Sequence, residues 1–293
     1  MSHDTTAFAF TFDRYRALLT TLRDANARFR TFEAVASESD AGDAQSTRPT
    51  VCLRHDVDWS PRKARRLAAI ESELDVTATY FFLVSATAYN PLDRETRAAL
   101  ADIAARGHTV GVHVDLRDVG DAVETETVAA RIQRARRVLT AAGVEPAAAV
   151  SFHNPPDWII GRPLDIEGVV NTYAPRFVEQ YVYAADSNQR WRSDPPLQGG
   201  VPDRLQLLTH PVLWGERDAW TVDRLREERD YHTERLSRSL ARTDRTWSGP
   251  RGLGDAFDVD SNPDFDDGAD FDFDDGADFD PDDGADFCSD SDD

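Results

Sequence analysis

Lysine is almost missing from this chain: Lys63 is the only one, although Lys and Arg together number 33 of the 293 residues. Methionine occurs once and cysteine twice. Cys52, inside an apolar run, and Cys288, near the C-terminus, do not make a disulfide framework. No stretch approaches the ~20 apolar residues of a membrane span, and residues 1–12 lack the basic flank and apolar run of an export signal. A cytoplasmic protein without a membrane span is therefore expected. Positive charge is scarce as well, with 54 acidic residues giving a net charge of −21. Non-specific nucleic-acid binding draws its affinity from basic residues that neutralise phosphates, so no nucleic-acid partner is expected. The preference for Arg, with abundant Ala and Asp, suggests a GC-rich genome, and the acidity fits a high-salt cytoplasm.

The charge is unevenly placed. Eighteen aspartates and no basic residue follow residue 254, leaving −3 of the −21 for everything before. Residues 264–271 and 272–279 are the same octapeptide, Asp-Phe-Asp-Asp-Gly-Ala-Asp-Phe, and 280–287 differs only at Pro281. The Gly falls outside the position a calcium loop needs, and no bidentate Glu follows, so a disordered acidic tail is expected over 251–293. An N-terminal helix and linker fill 1–49, and the main domain fills 50–250.

Within that domain strands alternate with helices. Apolar, β-prone runs at 50–55, 76–84, 109–113, 148–152, 168–172, 181–185 and 205–210 read as strands. Helices are predicted at 12–35, from Pro61 to about Leu74, from Pro91 to Arg106, and over 122–142 and 222–242. Seven strands interleaved with helices predict a parallel α/β sheet, closed as a barrel or opened as a doubly wound sheet.

The chemistry sits where the strands end. The first closes on Arg54-His55-Asp56-Val57-Asp58, and others end at His113, His153, Asp186 and His210. Strand-to-helix loops of a parallel sheet open on one face, so these groups can share a site. Two carboxylates one residue apart on a buried strand call for a cation or a proton. Plainer roles are available: Asp56 and Asp58 can cap the helix near Pro61 or pair with Arg54 and Arg62, and His113 can be a bonded core histidine. His55 is expected to face away, because neighbours on a strand alternate. His108, before its strand, is expected to be structural.

In order and placement, Arg54–Asp58, Thr79-Tyr80-Phe81-Phe82, Gly107–His113, Ser151-Phe152-His153-Asn154-Pro155-Pro156, Asp186-Ser187 with Trp191, and Leu208-Thr209-His210-Pro211 resemble the NodB-like polysaccharide deacetylases. Within them the pattern is similar to a cytoplasmic, WbmS-like branch found with surface-glycan biosynthesis. The resemblance implies a distorted (β/α)7 barrel and one divalent metal ion, usually zinc. It also implies hydrolysis of an acetyl group from a sugar of a glycan or glycan precursor. It assigns Asp56 as general base, His210 as general acid and Asp186 as the partner that tunes catalysis, with Asp58 and His113 on the metal. Arg54, Trp191 and Asn154 are expected against the substrate, Trp191 as a wall or stacking face.

One position departs from the family pattern. Arg117 stands where a second metal-binding histidine is usual, and it cannot ligate a cation. His153 is expected to supply the missing ligand; Asp115, or no metal at all, are the alternatives. Hydrolysis of another amide, such as a cyclic ureide or imide, and an inactive glycan- or protein-binding barrel are the competing functions.

Overall fold

The computed structural model describes residues 8–38, 47–119, 124–162, 166 and 168–243. The chain divides into two units, Met1–Arg235 and Leu236–Asp293. The second is described only through residues 236–243, and the acidic tail lies outside the described residues.

The first helix, α1 (Phe12–Asp24), is capped by the Thr11 hydroxyl accepting from the Arg14 amide, and it buries Phe12, Tyr15, Leu18, Leu19 and Leu22 at helical spacing. It stops short of the predicted residue 35. Asn26 takes a left-handed backbone (φ 58°), which Asn tolerates better than most residues. A short strand β1 (Arg28–Phe29) and helix α2 (Phe32–Ser37) follow. β1 pairs with the start of the next strand, β2 (Thr50–Val57), through Arg28↔Thr50 and Phe29↔Val51.

The chain then alternates: α3 (Pro61–Glu73), β3 (Thr79–Leu83), α4 (Arg94–Ala105), β4 (Thr109–Asp115), α5 (Thr125–Ala142), β5 (Ala149–His153), β6 (Val170–Asn171), α6 (Pro175–Glu179), β7 (Val182–Ala185), β8 (Arg204–Thr209) and α7 (Thr221–Thr243). The strands are parallel, in the order β6-β5-β4-β3-β2-β8-β7. This is a distorted (β/α)7 barrel, left open between β6 and β7 among the described residues.

Two faces of each strand do different work. Val51, Leu53, Val57, Val112, Val150, Phe152, Leu205 and Leu207 belong to the large apolar core, together with the helices. Each such side chain contributes about 1.5–3 kcal/mol when fully buried. The alternate positions face the barrel interior, whose floor is Phe32, Cys52, Phe81, Ala149, Phe177 and Tyr181. Gly111 belongs there by necessity: a Cβ on it would meet the Phe81 ring at 2.7 Å. Phe8, Phe10 and Ala27 join the buried face of α1 in the large core, so these residues pack with the strands that follow.

Candidate active site

Alternation places Cys52, Arg54, Asp56 and Asp58 in one column on the inner side of β2, rising from the floor toward the strand's C-terminal end. Arg54 is 0% exposed. Its Nη1 donates to Thr172 Oγ1 (2.8 Å) and Gln206 Oε1 (3.0 Å), and its Nη2 donates to Tyr173 OH (2.6 Å) and Asp56 Oδ2 (3.0 Å). Ser151 Oγ, two residues before His153 and so on the same face of β5, also donates to Asp56 Oδ2 at 3.2 Å. One Asp56 oxygen is thus fixed, whereas Oδ1 is buried without a hydrogen-bond partner.

Just beyond the strand, Asp58 Oδ1 lies 3.3 Å from His113 Nε2 and 3.2 Å from His153 Nδ1. It too is buried with no hydrogen-bond partner, and so is His113 Nδ1. A charge-assisted N–H···O contact closes to about 2.7–2.9 Å. Ligands about 2.0–2.1 Å from a tetrahedral cation stand roughly 3.3–3.4 Å apart, the spacing found here. Asp58, His113 and His153 therefore form a possible three-residue metal site, their ligand atoms all within 4.8 Å of one another. Burial alone would raise the Asp58 pKa, but the two imidazoles beside it, with His210 adding, hold its carboxyl well below the usual range.

The last strand brings the second half of the site. His210 Nδ1 contacts Asp186 Oδ1 at 2.7 Å, and the His210 amide donates to the same carboxylate. Trp214 Nε1 donates to Asp186 Oδ2 at 2.9 Å, so Asp186 is fully buried yet well satisfied. With Nδ1 on Asp186, His210 Nε2 reaches 4.0 Å from Asp58 Oδ2. Burial disfavours charge on His210, but Asp186, and then Asp58 and Asp56, outweigh it and push the pKa up to about 9. His210 is an imidazolium at neutral pH, and its ring is 20% exposed.

The structure thus gathers Asp56, Asp58, His113, His153, His210 and Asp186. Two of the expected substrate contacts sit elsewhere. Arg54 has no exposed surface, and its fork is committed to Asp56 and three neutral partners, so it positions the carboxylate instead of meeting substrate. Trp191 is 2% exposed and packs among Phe8 (5.7 Å), Phe10 (6.3 Å) and Trp214 (6.0 Å). It offers no face for stacking; it supports the Trp214 ring that holds Asp186. Asn154 is exposed, in a left-handed conformation (φ 45°) next to His153. Arg117 clamps Asp115 through its backbone amide, Nε and Nη2, which occupies the alternative oxygen ligand. The sequence pattern assigns no role to Ser151, Tyr173 or Trp214. Ser151 carried a signal in its two-residue spacing from His153, and Trp214 in being an indole donor that needs an acceptor once buried. Tyr173, in a loop, carried none.

No protein-family model and no curated protein matches the chain. Solved structures do. A CE4 family pseudoenzyme from Bacillus anthracis is 16% identical with a TM-score of 0.36, over 63% of this chain and 60% of that one. The chain thus spans about three-fifths of that structure's length. A family 4 acetyl xylan esterase from Clostridium thermocellum, in complex with a cobalt ion, is 17% identical with a TM-score of 0.35, over 55% and 73%. A family 4 carbohydrate esterase from Bacillus anthracis is 12% identical with a TM-score of 0.37, over 80% and 94%. The likeness is to family 4 carbohydrate esterases.

Proposed function

We propose that this protein is a metal-dependent hydrolase that removes an acetyl group from an acetylated sugar of a glycan or glycan precursor. The observation that carries this is the buried Asp58 oxygen standing 3.2–3.3 Å from two imidazoles without a hydrogen bond, beside an Asp56 with one oxygen free. Asp58, His113 and His153 would hold a divalent cation, zinc being suited to one carboxylate and two imidazoles, and it would lend Lewis acidity to the acyl carbonyl and to water.

Asp56 is the general base. Its Oδ2 is pinned by Arg54 and Ser151, so Oδ1 is left to take the proton of the attacking water as the water oxygen bonds to the acyl carbon. His210, protonated at neutral pH and oriented through Nδ1 by Asp186, gives its Nε2 proton to the departing nitrogen as the C–N bond breaks. The products are acetate and a free amino sugar. An O-acetyl ester would follow the same course with an alcohol leaving. Base and acid come from adjacent paired strands, Asp56 on β2 and His210 just past β8, and His210 Nε2 stands 4.0 Å from Asp58 Oδ2, which supports a hydrolytic site over a bare binding barrel.

Acetate release from N- and O-acetylated oligosaccharides by the zinc-supplemented protein tests this. Asp56→Asn should retain the metal and lose about 10²–10⁴-fold in rate. Metal-loaded protein that frees no acetate from any such sugar would leave a glycan-binding barrel as the better account, and turnover of a cyclic imide instead would favour the other amide chemistry.

A further inference from the structure

Helix α3 begins the wrong way round electrostatically. A helix N-terminus favours acidic side chains, yet the first turn of α3 has none and carries Arg62 and Lys63, with Arg65 and Arg66 next. Arg62, Arg65 and Arg66 also share one helical face, where like charges three and four residues apart repel. Both features disfavour the helix.

That face lines a cavity of about 560 Å³ between α1, α3, α4, α7 and the segment after β8. Seven cationic side chains face three carboxylates in it, an excess of four positive charges. The carboxylates are engaged: Asp102 takes Arg65 and Arg106 at 2.9 Å each, Glu227 takes Arg224 at 3.0 Å, and Glu216 is 3.8 Å from Arg66. Glu228, which meets Arg62 at 2.8 Å from outside the lining, still leaves an excess of three. Lys63, the only lysine, is nearly buried at the wall, its Nζ donating to the Val212 carbonyl at 2.9 Å and lying 3.5 Å from Glu228 and 3.6 Å from Glu227, carboxylates already counted above. No residue of the Asp58–His113–His153 cluster lines this cavity.

From these observations we infer a second, anion-binding site that takes a small molecule bearing a pyrophosphate or similarly dense phosphoryl group. Planar guanidinium forks match phosphate oxygens two at a time. The recess has the volume of a small-molecule pocket, unlike the long basic stripe that tracks a polymer. An anion would relieve the repulsion along α3 and balance the excess charge. The inference does not depend on the deacetylase proposal, because it uses none of the same residues.

Calorimetric titration of the full chain with inorganic pyrophosphate at low ionic strength tests it, with Asp58→Ala as the background that removes binding through a cation at the active site. Saturable one-to-one binding is expected in that background, weakening as salt is raised. The double variant Arg65→Glu/Arg66→Glu should weaken it about tenfold or more. Both side chains are about half exposed, so the fold should survive; Arg66→Gln gives a milder check if it does not. Absence of saturable binding, equal affinity in the double variant, or complete loss in Asp58→Ala alone would overturn the site.

Discussion

Two clusters of buried ionisable groups lie on opposite faces of β2, and they are built differently. On the outer face Glu71, 0% exposed, meets His55 Nε2 at 2.7 Å, accepts from Tyr80 OH at 2.7 Å and from Tyr15 OH, and lies 3.4 Å from His108 Nδ1. His55 Nδ1 contacts Thr209 Oγ1 at 2.6 Å, and His108 Nε2 contacts the Ala68 carbonyl at 3.0 Å. Every one of these side chains is matched. Burial would raise the Glu71 pKa, yet His55 and His108, with the Tyr15 hydroxyl adding, hold its carboxyl below the usual value. On the inner face, Asp56 Oδ1, Asp58 Oδ1 and His113 Nδ1 have no hydrogen-bond partner. Leaving such atoms unmatched costs about 1–3 kcal/mol each, more for a charge. A finished network stabilises a fold; an unfinished one of the same residue types is what the proposed cation site calls for.

The first way to break this contrast is Glu71→Ala. Stripping the carboxylate from a closed buried network should cost about 3–5 kcal/mol in chemical denaturation. The metal content of the protein that remains folded should be unchanged. A loss of metal with intact stability would erase the distinction.

His153→Ala makes the reverse case. It should leave the metal-free protein within about 1 kcal/mol of the parent, because the ring is partly exposed and its contact with Asp58 is long, while zinc affinity collapses. A stability loss as large as that of Glu71→Ala would make His153 a structural residue.

Titration sharpens the comparison next. His210 is raised from 6.5 to about 9 by its carboxylate neighbours, so it adds stability at pH values below about 6.5 and loses that contribution as pH climbs through about 9. Thermal scans of metal-free protein should show the melting temperature falling over that window, and His210→Gln should flatten the fall. Asp58, held low, acts with the opposite sign: its contribution is present above about pH 4 and disappears as pH drops through its folded value.

The smallest effect belongs to Arg117→Ala. The Arg117 side chain is 63% exposed, and its pairing with Asp115 is a surface contact worth at most about 1 kcal/mol. Zinc stoichiometry should not change. A gain of metal on freeing Asp115 would show that this carboxylate belongs to the ligand set.

Much of this was legible along the chain, and the rest fails for a common physical reason. Strand alternation separates His55 from Asp56 and Asp58, and the capped start at Ser60-Pro61 and the stop before Gly107 mark helix ends locally. Strand ends announced Asp56, Asp58, His113, His153, Asp186 and His210. What spacing does not encode is the partner that arrives from far along the chain. Arg54 beside two carboxylates reads as a substrate clamp until Thr172, Tyr173 and Gln206 close around it. Trp191 reads as a stacking platform until Phe8 and Phe10, from the N-terminal segment, cover it. The helix predicted over 12–35 broke because pairing of Arg28 and Phe29 with β2 outweighs local helical preference.

Zinc stoichiometry after extensive dialysis, measured by inductively coupled plasma mass spectrometry on the parent and on Asp58→Ala, bears most directly on the inner cluster. The account predicts about one ion per chain in the parent and none in the variant, with both proteins folded by circular dichroism. A parent that emerges metal-free, or a variant that keeps its ion, would contradict it.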